Sequence, residues 1–266
     1  MKISLKCLFF LLTIHFSSNG QKLLCQYSLV YKPDSTSNSS KQCNFFLITD
    51  GKNSLFRDKQ AIKVDSLIEK YEKTPMNESN MTVFTNQMVQ MPNPSFNYYL
   101  YKDILAKKIY YIDKIDKVNY YYTEPLDTVR WAITAQSKII MGYKCAKAVA
   151  SFGGRIWEAW FTREIPVPDG PYKFSGLPGL IIQANDTRNQ YVFLLQSLSK
   201  TVPPILITPS TGNMTKTTNL ALTKAKKDYQ LSTPSRMAAK GAALSESTKQ
   251  SFITRIQRQN NPIELK

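Results

Sequence analysis

The sequence predicts a mainly β, α+β protein: a curved antiparallel sheet or open half-barrel, with one short helix and a C-terminal helical extension. Three observations carry this. Short runs of β-branched and aromatic residues recur at intervals of about ten residues. Turn signals separate them, namely Met141-Gly142, Gly153-Gly154, Asp169-Gly170 and Asp186 to Asn189. Beyond Lys200 the composition shifts first to Pro, Thr and Asn, then to good helix formers.

In chain order, LLCQYSLVYK (23–32) and QCNFFLIT (42–49) read as strands around the polar loop PDSTSNSSK. The turn DGKNS then leads to LFR, a second hairpin. Residues 58–73 place Ile62, Leu67, Ile68 and Tyr71 at helical spacing. Residues 76–96, rich in Met, Asn and Pro, read as an irregular loop. From Tyr98 the runs YYLYKDI, KKIYYIDKI, KVNYYYTEP, VRWAITAQ, SKIIMGYKCAKAVASF, GRIWEAWFTREIPV, GLIIQANDT and QYVFLLQSL restore the β signal. In IWEAWF, alternation puts Trp157, Ala159 and Phe161 on one face and Ile156, Glu158, Trp160 and Thr162 on the other. Both faces carry a tryptophan, so both are expected to be partly covered. The division is therefore residues 21–200 as the β domain and 201–266 as a linker plus a basic helical tail. Met237, Leu244, Phe252 and Ile256 of that tail are expected to pack on the sheet.

The first residues have the layout of a secretory signal peptide: Lys2 and Lys6, an apolar run from Cys7 to Phe16, and Ser18 and Gly20 before a cut after residue 20. That run is shorter than the roughly 20 residues a membrane span needs. Export and a periplasmic or outer-membrane-associated location are expected, with no transmembrane segment. Formal net charge is +16, and removal of residues 1–20 takes away two lysines and no acid. The basic balance permits peripheral contact with anionic surfaces, although no dense basic run or nucleic-acid motif occurs. The single histidine is His15, inside the predicted signal. Downstream of it no serine–histidine or cysteine–histidine pair and no histidine metal site can form. No catalytic residue, metal ligand or cofactor is predicted. Cys25 and Cys43 flank a hairpin and are the candidate disulfide, which leaves Cys145 free or buried.

The densest signal is GPYKFSGLPGLIIQ, residues 170–183. In Leu177-Pro178-Gly179-Leu180 the proline and glycine occupy the two central positions of a type II turn, and Gly176 permits close backbone approach. Gly176, Pro178 and Gly179 are the predicted structural turn. The lysine and hydroxyl residue of a phosphate-binding loop do not follow the last glycine. Trp157, Trp160, Tyr172 and Phe174 are candidate ligand-binding aromatics.

The stretch YKCAKAVASFGGRIWEAWFTREIPVPDGPYKFSGLPGLIIQ resembles the GLPGLI family of secreted proteins typical of Bacteroidetes. Gly142 to Cys145, Trp160 to Thr162 and the terminal Asn-Pro-Ile-Glu-Leu (261–265) share the likeness. The resemblance implies an envelope protein and transfers no catalytic residue. The first expectation is a non-enzymatic protein binding a lipid-like or amphipathic ligand. If it has a cavity, Phe174 and at least one of the two tryptophans should line it. The second is an interaction module serving an outer-membrane complex, with an exposed apolar patch near Tyr172 to Leu180.

Overall fold

The computed structural model describes residues 22–75 and 77–265. The predicted signal peptide lies outside these residues. Twelve strands form one open sheet: β1 (Leu23–Tyr31), β2 (Lys41–Thr49), β3 (Asn53–Asp58), β4 (Tyr99–Asp103), β5 (Lys108–Ile115), β6 (Val118–Pro125), β7 (Ala132–Ile140), β8 (Tyr143–Phe152), β9 (Arg155–Thr162), β10 (Leu180–Asp186), β11 (Tyr191–Ser199) and β12 (Thr215–Lys216). The order is β12-β6-β5-β4-β3-β2-β1-β11-β10-β9-β8-β7. Two meanders, β1 to β6 and β7 to β11, are thus joined by the β1–β11 pair, with Leu24 opposite Ser199 and Tyr31 opposite Tyr191. All pairings are antiparallel except that of β12 with β6.

The turns follow local chemistry. Met141-Gly142 and Gly153-Gly154 both have positive φ at each central residue, the backbone of a tight hairpin whose twist matches its strands. Asp50 accepts from the amides of Lys52 and Asn53, at 2.8 and 2.7 Å, and shapes the β2–β3 turn.

The predicted helix is α1 (Lys59–Glu72), which buries Ala61, Ile62, Leu67 and Tyr71 and leaves Ile68 on its exposed side. Asp58 caps it by accepting from Gln60 and Ala61. Its second carboxylate oxygen accepts from Ser95 and Phe96. The segment expected to be a loop contains a helix, α2 (Glu78–Gln90), capped by Asn77. It buries no residue, which is why apolar periodicity did not announce it.

The chain after Lys200 is bound to the sheet rather than free of it. Ile207 joins Ile48 and Leu55 in a small core on the sheet's second face, with Val202 and Ile205 against it. Three helices follow: α3 (Asn219–Leu231), α4 (Thr233–Ala239) and α5 (Glu246–Gln257). Lys226 of α3 pairs with buried Asp113 of β5. Met237, Leu244, Phe252 and Ile256 are half-buried, and α5 contacts α3 and α4. No helix among the described residues is long and apolar enough to cross a membrane.

Cys25 and Cys43 are free thiols. They occupy the same face of the β1–β2 hairpin, but Cys25 stands opposite Leu47 and Cys43 opposite Leu29. Four positions along a strand amount to about 13 Å, beyond the roughly 7 Å limit for a disulfide's Cα atoms. The candidate bridge is corrected on that ground: flanking a hairpin loop does not make two residues cross-strand partners.

Candidate functional site

Residues 163–179, between β9 and β10, fold back into the concave face of the sheet. Tyr172, Lys173 and Phe174 at the centre of this loop are all buried. Phe174 packs against Trp157 at 4.6 Å between ring centroids and meets Trp131, Phe152, Tyr172 and Phe193 at wider spacing. The ammonium of Lys173 lies within 6.0 Å of the ring centroids of Tyr111, Tyr122, Phe152 and Tyr172. Tyr111 and Tyr122 belong to β5 and β6, near one end of the sheet, and Phe152 to β8, near the other. One side chain touching both ends means that the sheet wraps around the loop. The loop is its plug.

Buried charges lock the plug. The ammonium of Lys102, from β4, pairs with Asp169 and donates to the carbonyls of Gly170 at 2.7 Å and Phe174 at 3.3 Å. Both side chains are 0% exposed. Burial pulls the Lys102 ammonium below the usual lysine range, and the Asp169 carboxylate opposes that shift. Asp169 also accepts from the Gly170 amide at 2.8 Å, while its second oxygen has no partner among the described residues. Lys173 pairs with Glu124 and, at 2.7 Å, with Glu264. The Tyr172 hydroxyl donates to the same Glu264. Burial, then the Glu264 charge, pushes the Tyr172 phenol well above its ordinary value.

Residues 261–265 form a strap over this arrangement. Arg155 donates to the Ile263 carbonyl at 3.0 Å, the Asn261 side chain at 2.6 Å and the Pro262 carbonyl at 2.7 Å, and pairs with Asp186 at 3.1 Å. The Leu265 amide donates to the Gly153 carbonyl at 2.7 Å. The sequence motifs at Gly170–Gln183 and Asn261–Leu265 therefore meet in space through Lys173, Tyr172 and Glu264.

The turn itself differs from the expected type II. Gly179 donates to the Leu177 carbonyl at 2.8 Å, a three-residue turn centred on Pro178, and the Leu180 amide goes instead to Ile165 at 3.0 Å. Gly179 has φ +145, and a Cβ there would lie 1.9 Å from the Thr162 carbonyl oxygen, so only glycine fits. Gly176 has φ +86 with open space around it, and its requirement is conformational alone.

Of the candidate ligand-binding aromatics, Trp157, Tyr172 and Phe174 are in the filled core. Trp160 is half-exposed on the opposite face, under Lys138 at 4.2 Å and Lys147 at 5.8 Å. The four do not converge on a cavity, because strand alternation separates the tryptophans and the plug fills the space between the rest. The expected apolar patch near Tyr172 to Leu180 is absent too: only Gly176 and Pro178 of that stretch are exposed. Glu158, Glu164, Asp169 and Asp186 each have a separate partner, respectively Lys147, the Lys144 amide, Lys102 and Arg155. No group of three or more metal-ligating side chains occurs among the described residues.

A family model described as a protein of unknown function (Porph_ging) matches residues 154–183. That span contains β9, the plug and the first half of β10. No curated protein matches the chain. Among solved structures, the fold is similar to PNGF-II in a P21 crystal, with a TM-score of 0.52 and 15% identity over 79% of this chain and 34% of that one. PNGF-II in a C2 crystal gives the same TM-score and identity over 79% of this chain and 33% of that one. The chain thus spans about a third of the length of these structures.

Proposed function

We propose that this chain is an exported, non-catalytic interaction module of the GLPGLI family, and that its edge strand β7 takes up an extended segment of an envelope protein. The observation that carries this is the state of that edge. β7 is nine residues long and is the last strand on its side of the sheet among the described residues, with Ile133 and Ile139 49% and 68% exposed and a register shift between Ile133 and Ser137 that leaves Ser137–Ile140 as its regular stretch. An exposed edge strand presents backbone donors and acceptors ready to pair with another strand. The plug supports the non-catalytic part of the reading: its charges are held by fixed partners away from solvent. The similarity to PNGF-II, at 15% identity, bears on the fold and carries no activity here.

A lipid-carrier role would require residues 163–179 to leave the concave face and break the Lys102 and Lys173 pairs, which makes it the less favoured reading. The test is a photo-crosslinking residue at Ile139, compared with one at the still more exposed Leu220 of α3, in the protein's own envelope. A discrete adduct from position 139 alone, abolished by Ser137→Pro, is the expected result. Equal adducts at both positions, or a tightly bound lipid in the purified protein, would reject the module.

A further inference from the structure

A second feature lies away from the plug and from β7. The β1–β2 loop and α5 enclose an open groove of about 910 Å³, within the range of small-ligand sites. Polar side chains dominate its lining: Pro33 is the one residue without a hydroxyl, amide or charge. Lys41, Arg255 and Arg258 bring three cations, against the single carboxylate of Asp34. None of the three cations makes an ion pair among the described residues.

The walls are fixed in place. Asn260 accepts from the backbone and hydroxyl of Ser35, both at 2.9 Å, and donates to Asp34 at 3.1 Å. Next to it, the Asn261 side chain donates to the Lys32 carbonyl at 2.6 Å. These bonds tie the loop to the strap that Arg155 holds, so the groove inherits the order of the core. Arg255, in the last turn of α5, and Arg258, its C-cap with helical backbone angles, are three apart and project from the same side of the helix. Asp34 is held ionised by the hydroxyl and amide of Thr36 and then by Asn260.

We infer that this groove binds a saccharide bearing sulfate or phosphate esters. Guanidinium forks match the planar pairs of oxygens on such esters. The hydroxyl and amide lining, with Asp34 as acceptor, matches sugar hydroxyls. No aliphatic or aromatic side chain other than Pro33 lines the groove, which argues against an acyl chain or a hydrophobic peptide as the occupant.

The test is calorimetric titration of the protein, purified from an exporting host, with four probes: a sulfated hexasaccharide, a phosphorylated disaccharide, a neutral hexasaccharide and sodium sulfate. One-to-one binding of at least one charged saccharide, about tenfold or more tighter than sodium sulfate and the neutral sugar, is expected, and it should weaken with added salt. Preference for the sulfated probe points to an extracellular glycan, and preference for the phosphorylated one to a lipid headgroup sugar. Arg255→Gln with Arg258→Gln should weaken binding about tenfold or more. Lys114→Gln with Lys117→Gln removes equal charge from exposed sites elsewhere and should change it less than about twofold. Lys41→Gln provides a second groove variant if the double arginine variant melts early. Equal weakening by both double variants, sodium sulfate binding as tightly as the saccharides, or no binding of either charged saccharide would overturn the inference.

Discussion

Residues 170–181 and the helix α5 are both twelve residues long, and they are opposites. In the first, every residue except Gly176 and Pro178 is buried, although the segment has almost no regular structure. The second is regular along its whole length and buries nothing. Regularity and rigidity are therefore separate properties in this molecule. The irregular segment is fixed from all sides by ion pairs, ring contacts and backbone hydrogen bonds. The helix is held by its own ladder and by light contact with α3 and α4. Substitutions in the two segments should differ sharply in cost, and the comparison can be tested on that scale.

The largest effect is expected at Gly179. Alanine there drives a Cβ into the Thr162 carbonyl and keeps a φ that L-residues avoid. Gly179→Ala should destabilise by about 4 kcal/mol or more, read as loss of the cooperative urea transition or of soluble protein. A near-native midpoint would show that the plug is looser than its contacts imply.

Next comes Lys102→Met, which strands Asp169 without its cation. Removing one member of a buried pair costs about 3–5 kcal/mol, measured by the same denaturation. Adding Asp169→Asn should recover part of this loss, since no unpaired charge then remains. Failure to recover would locate the cost in the lost bonds to Gly170 and Phe174 instead.

A smaller effect is expected from pH. Burial pushes the Cys25 thiol up to about 12, and the Cys43 thiol likewise to about 12. Unfolded thiols ionise near 9, so between about pH 9 and 12 the unfolded chain binds fewer protons than the folded one. Stability from these two groups is complete below pH 9 and falls as pH rises through that window. At pH 8 both thiols should resist iodoacetamide in the folded protein and react after unfolding in urea. Rapid labelling of Cys25 in the native state would contradict its burial.

The smallest effect belongs to α5. Gln250→Ala, on its exposed surface, should shift stability by no more than about 0.5 kcal/mol, seen as an unchanged melting midpoint. A larger loss would mean that the helix supports the core after all.

Much of this architecture was legible in the residues, for reasons that also explain the gaps. Strands β4 to β11 were marked by aromatic and β-branched runs with charged, polar or glycine-containing turns between them, and each turn acts through local backbone preference. The plug was not legible, because what places it is a long-range partner. Lys102 sits at an inward position of β4, on the same face as Leu100, and reads in isolation as a surface lysine. Its carboxylate partner is 67 residues further on. Lys173, Glu124 and Glu264 raise the same difficulty, since no spacing rule links them. The one available signal was a lysine at a core-facing register, which demands a buried anion. The turn at Pro178 was misjudged in type because the Leu180 amide found Ile165 outside the turn. The Cys25–Cys43 pairing failed on register, which a hairpin loop of unknown closure does not define.

The pairing of β1 with β11 has a consequence for the order in which the molecule can be made. β2 to β6 can add to β1 one hairpin at a time, and β7 to β11 can do the same among themselves. Neither half is a finished sheet until residue 24 meets residue 199. Because that closure spans most of the chain, it is entropically slow. Until then the first strand keeps a bare edge of nine residues. A chain emerging from its N-terminus must protect that edge from other strands for as long as it takes to deliver β11. Its yield should therefore depend on the rate of delivery as well as on final stability.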